Sequence, residues 1–143
     1  MINYEYWAEV VRVVDGDTII LDVDLGFRLR TTQPFRLLGV NCPEPRGASA
    51  ERGKFCTAFV ERTLKDHEDN FVPVRISTYK SPDSFGRWLA SLKLSTGMGP
   101  NTDLVGDILI PYGWGVEWEG NGKNPTPWTG WDKYPNPNPG SDI

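Results

Sequence analysis

The segment YEYWAEVVRVVDGDTIILDVDL, residues 4–25, carries the strongest indication of the fold. Aromatic and β-branched residues dominate its first part, which predicts a strand over residues 4–14. Asp15-Gly16 is a two-residue hairpin signal. From residue 18 to residue 25 apolar and polar residues largely alternate, as expected of a strand with one buried face. The segment therefore predicts an antiparallel hairpin.

A third strand is predicted over residues 35–40, which form a largely apolar run. The proline-rich residues 42–45 end it, because proline lacks a backbone donor and restricts the residue before it. Strict alternation would place Arg36 and Asn41 on opposite faces of this strand. If both reach one site, the chain must turn after Val40, and the prolines are placed to enforce such a turn.

A helix is predicted over residues 49–64. Phe55 and Phe59 lie four apart on the face that we expect to pack against the core. Gly53, in the middle of this helix, costs about 1 kcal/mol relative to alanine. A tight packing contact at that position would explain the choice of glycine.

The remaining elements complete a recognisable order. Strands are predicted over residues 72–78 and 88–94, and a second helix starts at Asn101 or Thr102, either of which can cap it. This helix ends before Pro111. Three strands, a helix, two strands and a helix predict a mainly β protein with two helices (α+β), built on a five-stranded Greek-key barrel of the OB type.

Length and composition predict one domain with a tail. The chain has 143 residues, enough to bury one core without disulfides. We place the domain at 1–113 and a Trp/Pro/Gly-rich tail at 114–143, whose aromatic residues favour packing on the barrel. The net charge of −4 arises within residues 101–143. This argues against broad, nonspecific coating of DNA, but not against a small site of focused arginines.

Cysteine and histidine are too few for several classes of site. Two cysteines, Cys42 and Cys56, cannot build a disulfide framework, and we expect both to be small buried hydrophobes. The single histidine, His67, lies in a polar stretch and is expected to be solvated at a helix end. A histidine-based triad or a His/Cys zinc site therefore lacks parts. We find no secretory signal and no apolar run of about 20 residues, so we expect a cytoplasmic protein with no membrane partner.

Three spaced segments carry the functional signal. They are Asp15-Gly16-Asp17-Thr18, RLLGVNCPE at residues 36–44, and FGRWLA at residues 85–90. Taken singly, each is also typical of an ordinary turn or of a strand ending at prolines. Taken together and in this order, they resemble the staphylococcal nuclease (thermonuclease) family over about residues 6–112. Residues 22–27 and 110–112 are similar to the short members found in phages and prophages.

The resemblance implies an OB barrel that hydrolyses phosphodiester bonds of DNA or RNA with Ca²⁺ as cofactor. It implies that the metal is bound by Asp17, by Asn41 and by the backbone carbonyl of Cys42. Calcium prefers hard oxygen ligands, and a carboxylate, an amide and a carbonyl supply three of them. Asn41 stands where the family has an aspartate, which removes a negative charge and predicts weaker calcium binding.

The resemblance also implies the catalytic residues. Glu44 acts as general base on water, and Arg36 and Arg87 hold the phosphate and its developing charge. Two guanidinium groups suit this task because they bind phosphate oxygens bidentately. Phe85 replaces a tyrosine of the family, so one phosphate donor is missing. Tyr112 is expected to bind substrate by stacking on a base, with a core or tail contact as the alternative.

Two other classes of function stay open. Asn41 and the acidic tail also suit a catalytically silent OB module that only binds nucleic acid or protein. Glu117 and Glu119, close to Trp114 and Trp118, suit an assembly component whose tail docks a protein partner. Our main hypothesis is a monomeric nuclease, with the preference for DNA or RNA, and for endonuclease or exonuclease cleavage, left open.

Overall fold

The computed structural model describes residues 4–47, 50–82, 86–96 and 99–118, with the backbone alone at 79–82, 95, 96, 99 and 100. Ten elements are found in this part of the chain. In order they are β1 Tyr4–Asp15, β2 Thr18–Gly26, β3 Leu29–Leu37, β4 Val40–Asn41, α1 Ala50–Asp69, β5 Val74–Pro82, β6 Trp88–Thr96, β7 Gly99–Asp103, the short π-helix α2 Leu104–Leu109, and β8 Val116–Glu117.

Five of the strands close into a barrel. Antiparallel neighbours follow the order β3-β2-β1-β5-β6, and β6 returns to pair in parallel with β3, with Phe35 opposite Trp88. Phe35, Arg36 and Leu37 of β3 pair with β6, and this short parallel contact closes the barrel. The prediction of a mainly β protein with two helices and a five-stranded OB-type barrel is confirmed.

The barrel interior is filled by alternate residues of its strands. Ile19, Leu21 and Val23 of β2 are at most 2% exposed, whereas the two residues between them are only half-buried. This is the period of two expected for a strand with one face on the core. The helix α1 packs across β1 and closes the core from that side.

The face of α1 that packs on the barrel differs from the prediction. Phe59 is buried as expected, but Phe55 is 41% exposed. The buried face of α1 includes Val60, Leu64 and His67. Phe55 lies at the side of this face, not at its centre. His67 is 2% exposed. Its predicted solvation is wrong, because α1 continues past residue 64 and places the ring on its buried stripe.

Gly53 lies where α1 meets the loop after β4. A Cβ at this position would collide with the backbone carbonyl of Glu44. The tight contact predicted from glycine in mid-helix is therefore confirmed. The loop that carries Glu44 is packed directly on the helix backbone.

The strand β3 starts at Leu29, six residues earlier than predicted. Residues 26–28 all have positive φ and make the turn that joins β2 to β3. Pro34 obscured the strand in the sequence, since proline is disfavoured inside sheets. It is tolerated because β6 pairs with β3 only from Phe35 onward.

The segment predicted to start the second helix is a strand instead. Thr102 lies in β7, opposite Leu94 of β6, and is buried. The cap is Asp103, whose side chain accepts a hydrogen bond from the backbone N–H of Val105. The predicted start was therefore early, while the predicted end before Pro111 is correct.

The first residues of the predicted tail pack on the domain. Trp114 is 1% exposed, and its ring lies 5.4 Å from that of Phe59. The strand β8 pairs with β4. Residues 119–143 lie outside the described residues, so the domain boundary and the packing of the tail stay predictions. Within the described ranges, no helix has the length and apolarity to cross a bilayer.

Candidate functional site

Asp17 lies in the turn between β1 and β2, beside the end of β3. Its backbone carbonyl accepts a hydrogen bond from the N–H of Leu37 at 2.8 Å, which joins the turn to that strand. Gly16 allows the turn to approach the core, because a Cβ there would collide with the side chains of Cys42 and Cys56. Asp17 is 8% exposed. The turn therefore holds a carboxylate in a site that is nearly closed to water.

The Asp17 carboxylate has neighbours of both charge signs, including the side chain of Asp15. Oδ2 accepts a hydrogen bond from the backbone N–H of Cys42 at 2.9 Å and lies 3.5 Å from Nη2 of Arg36. Oδ1 lies 3.5 Å from the hydroxyl of Thr18, which donates to it. Burial raises the pKa of Asp17 to about 7, against the opposing effect of the Arg36 guanidinium, and the side chain of Asp15 also raises this pKa. A further positive charge near this carboxylate would favour its ionised form.

Arg36, near the end of β3, is 4% exposed. Its Nη1 donates to the carbonyls of Leu37 and Val40, both at 2.8 Å. The ring of Trp118 lies over the guanidinium, with Cζ 4.5 Å from the ring centroid. Nη1 is therefore occupied inside the protein, and the plane of the group is defined by the two carbonyls.

The reversal that brings both carbonyls to Arg36 occurs at Leu38-Gly39. The predicted turn after Val40 is wrong in position, because Gly39 supplies the left-handed conformation (φ +84°) that a tight reversal needs. The chain then forms β4 before reaching the prolines. Asn41 of β4 is 7% exposed and directly precedes the Cys42 N–H that binds Asp17.

Glu44 and Arg87 lie on two other loops, and of the two it is Arg87 that has a described contact with the site. Glu44 is exposed, on the loop that packs against Gly53. Arg87 directly precedes β6 and is half-buried, and its Nη1 donates to the hydroxyl of Thr18 at 3.2 Å. Because β6 runs parallel to β3, Arg87 reaches the same end of the barrel as Arg36.

Direct contacts therefore connect Asp17, Arg36 and Cys42, and Thr18 connects them to Arg87. Tyr112 is 37% exposed, and its ring lies 6.2 Å from that of Phe59 on α1. Its role in stacking on a base stays a prediction. Phe85 lies outside the described residues, so its expected position is untested.

Two side chains of this site were not predicted. Thr18 bridges Asp17 and Arg87, and its place in the Asp-Gly-Asp-Thr segment was a signal that could have found it. Trp118 had been assigned to the tail, with no pattern in the sequence linking it to Arg36. The two backbone carbonyls that hold Arg36 have no sequence signal of their own.

The predicted cation ligands suit a hard metal ion of low affinity. In the described part of the chain, no three His, Cys, Asp or Glu side chains are grouped as metal ligands. The predicted ligand set contains only one such side chain, the Asp17 carboxylate, because the other two ligands are the Asn41 amide and the backbone carbonyl of Cys42. The buried Asp17 carboxylate, with its raised pKa, fits a cation, while Arg36 at 3.5 Å competes for the same charge. Oxygen donors of this kind leave coordination positions for water and substrate.

Comparison with known proteins gives one relative of defined activity. The chain is 35% identical over 98 residues to a protein named "Thermonuclease" from Staphylococcus hyicus. The alignment covers 66% of this chain and 52% of the relative, so this chain matches about half of the relative's length. No family model matches the chain.

Proposed function

Because the chain is a member of the staphylococcal nuclease-like family, we propose that it is a nuclease that hydrolyses phosphodiester bonds of DNA or RNA, with calcium as its cofactor. The relative is a thermonuclease by name, and this chain matches about half of it. Its activity, substrate and cofactor are therefore inferred from its own residues together with that similarity.

The observation that carries the proposal is the position of Asp17 between two arginines. Arg36 lies 3.5 Å from its carboxylate, and Arg87 reaches it through the hydroxyl of Thr18. A carboxylate flanked by guanidinium groups at the rim of a barrel can hold a cation and a phosphate side by side. The negative phosphate would balance the charge that the cation and the arginines bring together.

The two arginines suit different tasks. Nη1 of Arg36 is committed to the Leu37 and Val40 carbonyls, and one side of Nη2 faces Asp17. None of these contacts uses Nε, and Nε together with Nη2 would form a two-donor fork for two phosphate oxygens. Arg87 is half-buried and donates to Thr18, and from there its guanidinium would hold a second side of the phosphate as charge develops on it.

Glu44 is the residue that would activate water. Its side chain is exposed, and its backbone is anchored on α1 through Gly53. As general base it takes one proton from water while the water oxygen bonds to phosphorus. The bond from phosphorus to the leaving oxygen breaks, and that oxygen takes a proton from solvent. Asp17, Asn41 and the Cys42 carbonyl would hold the calcium ion, which supplies positive charge to the phosphate and to the nearby water.

The test is cleavage by the purified full chain. Single-stranded DNA, duplex DNA and RNA are each incubated with calcium, with magnesium, and with a chelator. We expect cleavage with calcium and its loss in chelator, restored by adding calcium back. Cleavage at an unchanged rate in chelator would overturn the calcium-dependent mechanism.

A second candidate is an OB module that binds nucleic acid without cutting it. Asn41 leaves Asp17 as the single carboxylate of the predicted ligand set, and Arg36 makes several internal contacts. This candidate predicts retention of labelled DNA in calcium without product formation. The monomeric state, the cytoplasmic location and a protein partner for the tail stay predictions.

A further inference from the structure

Trp118 is tied to the loop that follows β3. In β8, Glu117 lies opposite Val40 and Val116 opposite Asn41. The N–H of Trp118 donates to the carbonyl of Gly39 at 3.1 Å. These bonds fix the backbone of Trp118 beside the turn that wraps around Arg36.

A close approach at Gly115 keeps the two segments together. A Cβ at Gly115 would collide with the side chain of Val40, and it would also lie close to the thiol of Cys42. Any larger residue would therefore push β8 away from β4. The packing indicates that residues 115–118 belong with residues 38–42, which lie beside Arg36 and Asp17, although the sequence analysis placed them at the start of the tail.

The ring of Trp118 adds a cation–π contact to the polar contacts that Arg36 makes with Leu37, Val40 and Asp17. The carbonyls of Leu37 and Val40 accept hydrogen bonds from Nη1 of Arg36, and the Asp17 carboxylate forms an ion pair with Nη2. Cζ of Arg36 lies over the ring of Trp118, 4.5 Å from the ring centroid. An aromatic face attracts a guanidinium through the ring quadrupole, and more strongly where water is excluded.

We propose that Trp118 is a positioning residue for Arg36: its ring restrains the guanidinium so that the Nε–Nη2 edge stays directed at the substrate phosphate. This inference rests on the proposed nuclease function for its catalytic consequence. Its structural half, the restraint of Arg36, does not depend on activity. Trp118 acts through Arg36 and is not itself assigned to the reacting atoms.

The test compares Trp118→Ala and Trp118→Phe with the control Trp7→Ala. Trp7 is 54% exposed and lies over Arg75 with Cζ 5.4 Å from its ring centroid, so the control removes a similar contact away from Arg36. We expect kcat on single-stranded DNA to fall roughly 3- to 30-fold in Trp118→Ala with little change in KM, the range expected for a partly desolvated cation–π contact. Trp118→Phe keeps most of the rate, and Trp7→Ala keeps all of it.

A second readout is independent of catalysis. The exchange of the Arg36 Nε–H with water, followed by ¹⁵N NMR, should become faster in Trp118→Ala and stay unchanged in Trp7→Ala. If the wild-type protein cleaves nothing, the proposed function fails while this exchange still decides the inference. Trp118→Leu, which keeps an apolar side chain without the ring, gives the same comparison should the alanine variant not fold. Equal Nε–H exchange in the wild type and in the Trp118 variants would overturn the proposal.

Discussion

Nη2 of Arg36 lies 3.5 Å from Oδ2 of Asp17, with both residues less than 10% exposed. The pair joins the residue expected to bind a cation to the residue expected to bind phosphate. Removing a partner from a buried ion pair leaves an uncompensated charge, which is costly. Folding and function are therefore connected at this contact, and most of the predictions below concern it or the loop beside it.

Replacing Arg36 by lysine should separate charge from geometry. A lysine keeps the positive charge near Asp17 but lacks the planar fork that bridges the Leu37 and Val40 carbonyls and presents a second edge to phosphate. We expect Arg36→Lys to lower the free energy of unfolding by about 1–3 kcal/mol and the cleavage rate by roughly 100- to 1000-fold. Urea unfolding and a gel-based cleavage assay measure the two effects.

The matched control for that change is Arg30→Lys. Arg30 is exposed and forms ion pairs with Glu9, Asp22 and Asp24. Exposed ion pairs contribute about 0–1 kcal/mol, so we expect little change in stability or activity. Similar losses in both variants would mean that the buried contacts of Arg36 have no special role.

Asn41→Asp should strengthen calcium binding. The substitution adds a second carboxylate next to the segment that binds Asp17, and calcium affinity rises with ligand charge. We expect the Kd for calcium to fall roughly tenfold, equivalent to ~1.4 kcal/mol. In chelator the same variant should be less stable than the wild type, because two carboxylates then repel one another. Isothermal titration calorimetry measures the Kd, with the exposed Asn101→Asp as control; an equal gain in the control would rule out a site at Asn41.

Gly53→Ala should destabilise the protein although alanine is the better helix former. The intrinsic gain of about 1 kcal/mol is outweighed because the new Cβ collides with the Glu44 carbonyl. The displaced loop carries the proposed base, so activity should fall as well. Ala58→Gly, at an exposed position of the same helix, is the reverse control. It should cost only the difference in helix propensity between alanine and glycine. A Gly53→Ala variant with a higher free energy of unfolding than the wild type would show that the loop carrying Glu44 moves aside without destabilising the fold.

His67 should make stability depend on pH. Its ring is 2% exposed, and burial lowers its pKa below the usual value of 6.5. Between the two pKa values the unfolded chain therefore binds a proton that the folded chain does not. The contribution of neutral His67 to the free energy of unfolding is present above pH 6.5 and is lost as pH falls through the lower folded pKa. We expect His67→Leu to lose less stability than the wild type between pH 7.5 and pH 5.

Asp17 titrates in the same range with the opposite sign. Its pKa is raised to about 7 in the folded protein. Its contribution is therefore fully present below the unfolded value of 3.8 and is lost as pH rises toward 7. Taking the difference between wild type and His67→Leu at each pH, in chelator, isolates the histidine. A constant difference across the range would contradict the buried, neutral state of His67.

The barrel could be predicted because its strands carry local signals. Alternation in β2 and the order of strands and helices each depend on short-range preferences that the tertiary structure keeps. The predicted hairpin between β1 and β2 also forms, but its turn is Gly16-Asp17, one residue later than predicted. The start of β3 could not be predicted, since Pro34 is tolerated only because of where β6 begins to pair. The burial of His67 was missed for the same kind of reason, because the stripe that buries it depends on how far α1 extends.

The residues of the candidate site also fall into two groups, those that the sequence could predict and those placed by tertiary contacts. Asp17, Arg36 and Arg87 lie in segments with a recognisable order, and the structure connects them through Thr18 and Cys42. Trp118 could not be predicted as part of the site, because its position depends on the pairing of β8 with β4. That pairing joins residues about 75 positions apart, with strands of two residues each, which is too short for a periodic pattern.

The most direct test of the hydrolytic centre is the single-turnover cleavage rate of Glu44→Gln in saturating calcium, compared with Glu61→Gln. Both residues are exposed glutamates, and Glu61 lies on α1 away from the loop. General-base catalysis is worth roughly 100- to 10,000-fold, so we expect a loss of that size in Glu44→Gln with calcium and DNA binding retained. We expect no loss in Glu61→Gln. A Glu44→Gln variant that cuts at the wild-type rate would contradict the proposed mechanism.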